Sequence, residues 1–132
     1  MAAKSAQQVV LKVLAILMIV GGAVRLLANQ GTFQSFMIDN LWVSHPYFVY
    51  IYRVLGAFVV LAGVILYMIG RDPVRYASML QAVAFCFSLI GVVMVIAGYA
   101  LKMAFMHYAF DFFFSFLVSV VCFSLSVRRV RN

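Results

Sequence analysis

The sequence predicts an all-α fold, an integral membrane bundle of four antiparallel helices with the N-terminus and the C-terminus both in the cytoplasm. Of the 132 residues, 67% are hydrophobic and 10% are charged, whereas a soluble domain is about half apolar and about a quarter charged. Four apolar stretches each have the roughly 20 residues that a helix needs to cross a bilayer. Positive charges gather at alternate connections, and this asymmetry sets the orientation.

Four helices and their connections make one domain over residues 1–132. We expect the helices at about residues 9–28, 46–69, 74–100 and 103–127. The first stretch begins like a signal peptide, with Lys4 ahead of an apolar run. It contains Arg25 and lacks a small-residue cleavage site, so we expect it to be a retained helix.

Capping signals mark the second and third helices. Ser44 and Pro46 suit the N-cap and the first position of the second helix, and Asp72 and Pro73 suit the same positions of the third. Gly70 is expected to end the second helix in a left-handed conformation.

The break between the third and fourth helices carries no glycine or proline. It is inferred from length, because one helix from Val74 to Val127 would be far too long for a single crossing.

The connection at residues 29–45 is the longest. Its apolar residues recur at helical spacing and Trp42 follows them, which predicts a short helix lying in the membrane interface. These apolar residues are Phe33, Phe36, Met37 and Leu41. The alternative is an irregular loop with apolar anchors.

Basic residues give the orientation. Seven fall on one side of the membrane: Lys4, Lys12, Arg71, Arg75, Arg128, Arg129 and Arg131. Only Lys102 lies in a connection on the other side, which predicts that the N-terminus and the C-terminus both face the cytoplasm. The net charge of +7 is explained by this pattern, and we predict no nucleic-acid partner.

Each predicted helix has a stripe of small or polar residues. Such residues let helices approach closely in lipid, where apolar surface gives no drive for packing. The residues expected at helix contacts are Gly22, Gly56, Gly63, Gly91, Gly98, Ser115 and Ser119.

Three charged residues lie in the outer half of the predicted spans, Arg25, Arg53 and Asp111. A charge within a bilayer costs at least about 2.5–3.5 kcal/mol, so it usually has a partner. His107 lies one turn from Asp111 on the same helix face, and the topology predicts one cluster of all four in the outer half of the membrane. Two interpretations stay open: a structural ion pair of Arg53 with Asp111, or a site for an anionic ligand or lipid headgroup held by the two arginines.

Metal binding and catalysis find little support. His45 and His107 are weak metal or haem candidates, because two histidines at that spacing do not define a site, and we predict no cofactor. The sequence has no Glu and none of the common catalytic motifs. His107 and Asp111 could support base chemistry, but no nucleophile accompanies them.

Residues 47–75 carry a resemblance to a known family. Tyr52-Arg53-x-x-Gly56, the small residues up to Gly63, and the basic turn Arg71-Asp72-Pro73-x-Arg75 resemble the second-helix region of small bacterial four-helix inner-membrane proteins, the DoxX-like group. The resemblance implies an antiparallel four-helix bundle in the bacterial cytoplasmic membrane, without an established activity. It singles out Arg53 and Gly56.

Three classes of function follow. The first is a non-enzymatic subunit or scaffold, whose partner is another protein or a second copy of the chain. The second is a binder or carrier of a small anionic or lipidic ligand at the predicted cluster. The third is a membrane redox anchor or enzyme that uses His107 and Asp111.

Overall fold

The computed structural model describes residues 2–35 and 42–127, which form five α-helices and no strand. In chain order these are α1 (Ala2–Leu26), α2 (Gln30–Ser35), α3 (Pro46–Ile69), α4 (Ala77–Ala100) and α5 (Met106–Val127). The segment Ala6–Leu26 of α1 and the whole of α3, α4 and α5 are long and apolar enough to cross a membrane. The prediction of an all-helical fold with four candidate spans is therefore confirmed.

Two parts of the sequence-based prediction lie outside the described residues. One part comprises three residues of the expected interfacial helix, Phe36, Met37 and Leu41. The other comprises three arginines of the charge count, Arg128, Arg129 and Arg131. Within the described part of the long connection, α2 is a helix of six residues.

The helices divide into two compact units. The α1–α3 unit consists of Val9–Gly70 and includes α2, and the α4–α5 unit contains Arg71–Asn132 together with the first eight residues.

Glycines form the contact between α1 and α3. A Cβ added at Gly63 would lie 2.8 Å from the Ile19 side chain, and one at Gly70 would lie 3.2 Å from Leu11 Cβ. From Gly63 to Gly70 of α3, the contacting residue of α1 thus changes from Ile19 to the earlier Leu11. The buried residues of α1 include Leu11, Leu14, Ala15 and Met18. Their spacing of three and four positions places them on one face of the helix.

Helix α3 begins differently from the prediction. His45, and not Ser44, is the N-cap, and its Nδ1 accepts a hydrogen bond from the Tyr47 N–H at 3.2 Å. Pro46 follows at the first helical position, as expected from its missing N–H. The imidazole therefore replaces the expected hydroxyl in satisfying an N–H at the helix start.

The end of α3 corrects another expectation. Gly70 has φ −64° and ψ −12°, a right-handed conformation, and its N–H donates to the Leu66 carbonyl. The predicted left-handed conformation is therefore wrong. The glycine is explained instead by the close approach of α1.

Helix α4 begins at Ala77, three residues after the predicted Val74, and residues 71–76 form turns. The Asp72 carboxylate accepts a hydrogen bond from the Arg75 N–H at 3.3 Å. Asp72 thus caps the turn that leads into α4, and not α4 itself.

Lys102 ends α4 in a left-handed conformation, with φ 53°. The Lys102 N–H donates to the Tyr99 carbonyl at 3.0 Å, and the Met103 N–H donates to the Gly98 carbonyl at 2.9 Å. These two bonds define a Schellman motif, which usually has glycine at the left-handed position. Because of this turn, α5 begins at Met106, three residues after the predicted start.

Serine hydroxyls join α4 to α5. Ser119 donates to the Ala84 carbonyl at 2.9 Å, and the hydroxyl oxygens of Ser88 and Ser119 are 2.7 Å apart. Because a hydroxyl has one proton, Ser88 is the donor in the second bond. Ser115 is buried beside this pair and contacts the Met94 sulfur at 3.9 Å.

Candidate functional site

An open groove of about 600 Å³ lies along the first half of α3. Its volume falls within the roughly 300–1,000 Å³ of small-molecule sites. Seven of the described residues line it, one from α1 and six from α3: Leu26, Pro46, Val49, Tyr50, Arg53, Val54 and Ala57. We call this the Arg53 groove, because Arg53 is the one charged residue among these seven.

The groove follows from the spacing of residues on α3. Pro46, Tyr50, Arg53 and Ala57 are separated by four, three and four positions, so they lie along one helical face. Arg53 and Tyr50 are both exposed. Among the described lining residues, the polar side-chain groups are the Arg53 guanidinium and the Tyr50 hydroxyl. The groove is therefore a hydrocarbon wall with one cation and one phenol.

Arg25 lies at the same end of the α1–α3 unit. Its guanidinium carbon is 5.8 Å from the centroid of the Tyr52 ring, within the distance of a cation–π interaction. A Cβ at Gly56 would lie 3.0 Å from the Arg25 Cβ. Arg25 thus packs on the turn of α3 that carries Arg53, and it is half-buried.

Four aromatic rings connect α2 to the start of α3. Phe33 is buried, with its ring centroid 5.0 Å from that of Trp42 and 5.3 Å from that of Tyr52. Phe48 lies 5.8 Å from Trp42 and 6.0 Å from Tyr52. The Asn29 side chain caps α2 by accepting from the Thr32 N–H at 3.1 Å, and Thr32 Oγ1 accepts from the Asn29 N–H in return. These contacts fix the surroundings of Tyr52, the residue next to Arg53.

His107 and Asp111 belong to the α4–α5 unit, and both lie on α5. His107 is exposed in the first turn, where its N–H donates to the Ala104 carbonyl at 2.9 Å, and Asp111 is half-buried one turn later. The predicted cluster therefore draws two residues from each unit. The ion pair of Arg53 with Asp111 stays a prediction.

The metal candidates also lie in different units. His45 uses Nδ1 to cap α3, whereas His107 lies on α5. Among residues 2–35 and 42–127, no three His, Cys, Asp or Glu side chains come close enough to hold a metal ion.

The glycines predicted at helix contacts differ in how tightly they are packed. A Cβ at Gly98 would lie 2.5 Å from the Tyr108 ring, whereas one at Gly91 would lie 3.8 Å from the Phe112 ring, an ordinary contact. Gly22 and Gly56 meet backbone atoms across the α1–α3 contact. A side chain would therefore clash at Gly22, Gly56 and Gly98, whereas Gly91 has room for a methyl group.

Comparison with protein-family models, curated proteins and solved structures found no match to this chain. The resemblance of residues 47–75 to the DoxX-like group therefore stays a prediction.

Sequence reasoning singled out Arg53 and missed the apolar wall around it. Tyr50, Val49, Val54 and Ala57 are ordinary residues of a membrane span, and only their common face with Arg53 could have drawn attention to them. Leu26 joins them from another helix. No sequence pattern reveals this last contribution, because it depends on how α1 crosses α3.

Proposed function

We propose that this chain is a non-enzymatic membrane protein that binds a small anionic or lipidic ligand in the Arg53 groove. One observation carries the proposal: the groove combines an apolar wall with a single guanidinium. Guanidinium groups bind carboxylates and phosphates through paired hydrogen bonds. An apolar wall with a few placed polar groups is the usual composition of a small-molecule site.

The charge of the groove lining favours an anion. Arg53 is the one charged residue among the described residues that line the groove. A positive charge attracts anions and repels cations. The ligand should therefore carry negative charge at the end that meets Arg53.

We place this site in the outer half of a bacterial inner membrane, in an antiparallel four-helix bundle with both termini in the cytoplasm. The uneven distribution of Lys and Arg supports this orientation, and the four apolar helices support multi-pass insertion. In this topology the start of α3 faces the outer surface.

Native mass spectrometry tests the proposal on protein gently extracted from its own membrane. The wild type should carry a ligand mass beyond the 14.8 kDa of the chain, and Arg53→Ala should lose it. Arg75→Ala is the matched control, because Arg75 is also an exposed arginine but lies outside the spans.

Arg53→Gln provides a second test if the alanine variant does not fold, since glutamine keeps a polar side chain without the charge. Each variant must retain the helical circular dichroism of the wild type. A wild-type protein that is bare of any ligand would overturn the proposal. It would leave the subunit or scaffold class as the better account.

A further inference from the structure

We infer that the ligand is an anionic glycerophospholipid, with its phosphate at Arg53 and one acyl chain along the groove; this rests on the proposed function. The inference commits to a ligand that comes from the bilayer and not from water. Four features of the Arg53 groove support it: its wall, its opening, its depth and its charge.

The wall favours an amphiphile. Besides Arg53 and Tyr50, the lining consists of Leu26, Pro46, Val49, Val54 and Ala57. A fully polar anion would leave its water and gain one guanidinium and one hydroxyl, which costs free energy for every polar group left unpaired. A phospholipid places only its phosphate at Arg53 and covers the hydrocarbon wall with its own hydrocarbon.

The opening favours entry from the side. The groove is open, and all but one of its lining residues belong to the span Pro46–Ile69. Lining residues are exposed on this face, Tyr50 to 65% and Leu26 to 40%. A bilayer lipid can therefore reach the groove without passing through the protein.

The depth of Arg53 suits a headgroup. Arg53 comes seven residues after Pro46, which opens α3, a rise on the order of 10 Å. Side chains on a helix lean toward its N-terminus, and a long arginine side chain extends toward the membrane surface. The guanidinium is therefore expected near the first turns of α3, at the depth of lipid phosphates. Val54 and Ala57 remain deeper, beside the acyl chain.

The charge favours an anionic headgroup over a zwitterionic one. The described residues that line the groove offer no carboxylate to a headgroup cation. A zwitterionic lipid would bring its own cation close to Arg53. An anionic lipid brings only the phosphate and neutral hydroxyls.

The test places the full chain in nanodiscs of equal parts phosphatidylglycerol and phosphatidylcholine, and native mass spectrometry reads the lipid retained. We expect retained phosphatidylglycerol to exceed phosphatidylcholine. Arg53→Ala should lower the retention of phosphatidylglycerol about tenfold, the factor expected for a lost charge-assisted hydrogen bond, and should remove the preference over phosphatidylcholine. Ala57→Phe should abolish retention by filling the groove, whereas Ala97→Phe, the same change at an exposed alanine of α4, should not.

The other outcomes overturn the inference in distinguishable ways. Equal retention of both lipids, or retention unaffected by Arg53→Ala and Ala57→Phe, would mean that the apolar surface alone holds lipid. A water-soluble anion, such as inorganic phosphate, found on protein from its own membrane would overturn the lipid assignment and leave the proposed function standing. Protein bare of any ligand in both preparations would overturn both.

Discussion

Gly22 and Gly56 pack backbone against backbone in the α1–α3 unit. A Cβ added at Gly22 would lie 2.8 Å from the Gly56 carbonyl oxygen, and a Cβ added at Gly56 would lie 2.8 Å from the Gly22 carbonyl oxygen. The relationship is reciprocal, so neither residue can take a side chain unless the helices separate. Gly56 also contacts Arg25, so this close approach brings both arginines to one end of the unit.

Gly22→Ala is expected to destabilise the protein by about 1–3 kcal/mol, the usual cost of overpacking a tight contact. The added methyl group would meet the Val60 N at 2.7 Å as well as the Gly56 oxygen, and backbone atoms cannot rotate away. The measurement is thermal unfolding in detergent, followed by circular dichroism.

Gly21→Ala is the matched control for this change. Gly21 is the preceding residue of the same helix, and no atom lies within 4 Å of a Cβ added there. Alanine is also the better helix former, by up to about 1 kcal/mol. Equal unfolding temperatures for the two variants would show that α1 and α3 are not in contact at Gly22.

Gly98→Ala is expected to destabilise the α4–α5 unit, whereas Gly91→Ala is expected to be nearly neutral. The methyl group at position 98 would overlap the Tyr108 ring, which packs edge-on against Phe105 at 5.3 Å. The free energy of unfolding should fall by about 1–2 kcal/mol. The decrease should be smaller than for Gly22→Ala, because a ring moves aside more easily than backbone atoms. A Gly91→Ala variant as unstable as Gly98→Ala would contradict this packing.

Lys102→Gly is expected to stabilise the turn between α4 and α5. A left-handed conformation costs a residue with a side chain roughly 1–2 kcal/mol, and the greater entropy of unfolded glycine offsets part of that gain. We expect a net gain of about 0.5–1 kcal/mol in the free energy of unfolding. Lys102→Ala separates conformation from charge, because it removes the charge and keeps the strain. Equal changes in the free energy of unfolding for Lys102→Gly and Lys102→Ala would contradict the cost assigned to the left-handed conformation.

Ser119→Ala is expected to lower stability by about 0.6–1.7 kcal/mol, from the average to the largest value for hydrogen bonds between membrane helices. The change removes the bond to the Ala84 carbonyl and leaves Ser88 without its acceptor. The measurement is unfolding in detergent, with Ser124→Ala as the control, because Ser124 is exposed on the same helix. No difference between the two serine variants would contradict a role for this contact.

The spans could be predicted from the sequence because a bilayer demands a fixed length of apolar helix, and each of the four stretches satisfies it. The turn at Lys102 could not, because the sequence there contains no residue that prefers a left-handed conformation. His45 and Ser44 both offer an acceptor for the first N–H groups of α3, and the sequence alone does not choose between them.

The candidate site could be predicted only in part. Arg53 stood out because a charge in an apolar stretch is costly. The wall beside it could not be predicted, because Leu26 comes from α1 and its position depends on the glycine contact that brings α1 against α3.

An experimental structure of the full chain in nanodiscs that contain phosphatidylglycerol tests the central claim most directly. The account predicts elongated density along Val54 and Ala57, with the headgroup phosphate within hydrogen-bond distance of the Arg53 guanidinium. A groove without such density, with Arg53 bonded to the Asp111 carboxylate, would contradict the account. It would establish the structural ion pair as the role of these charges.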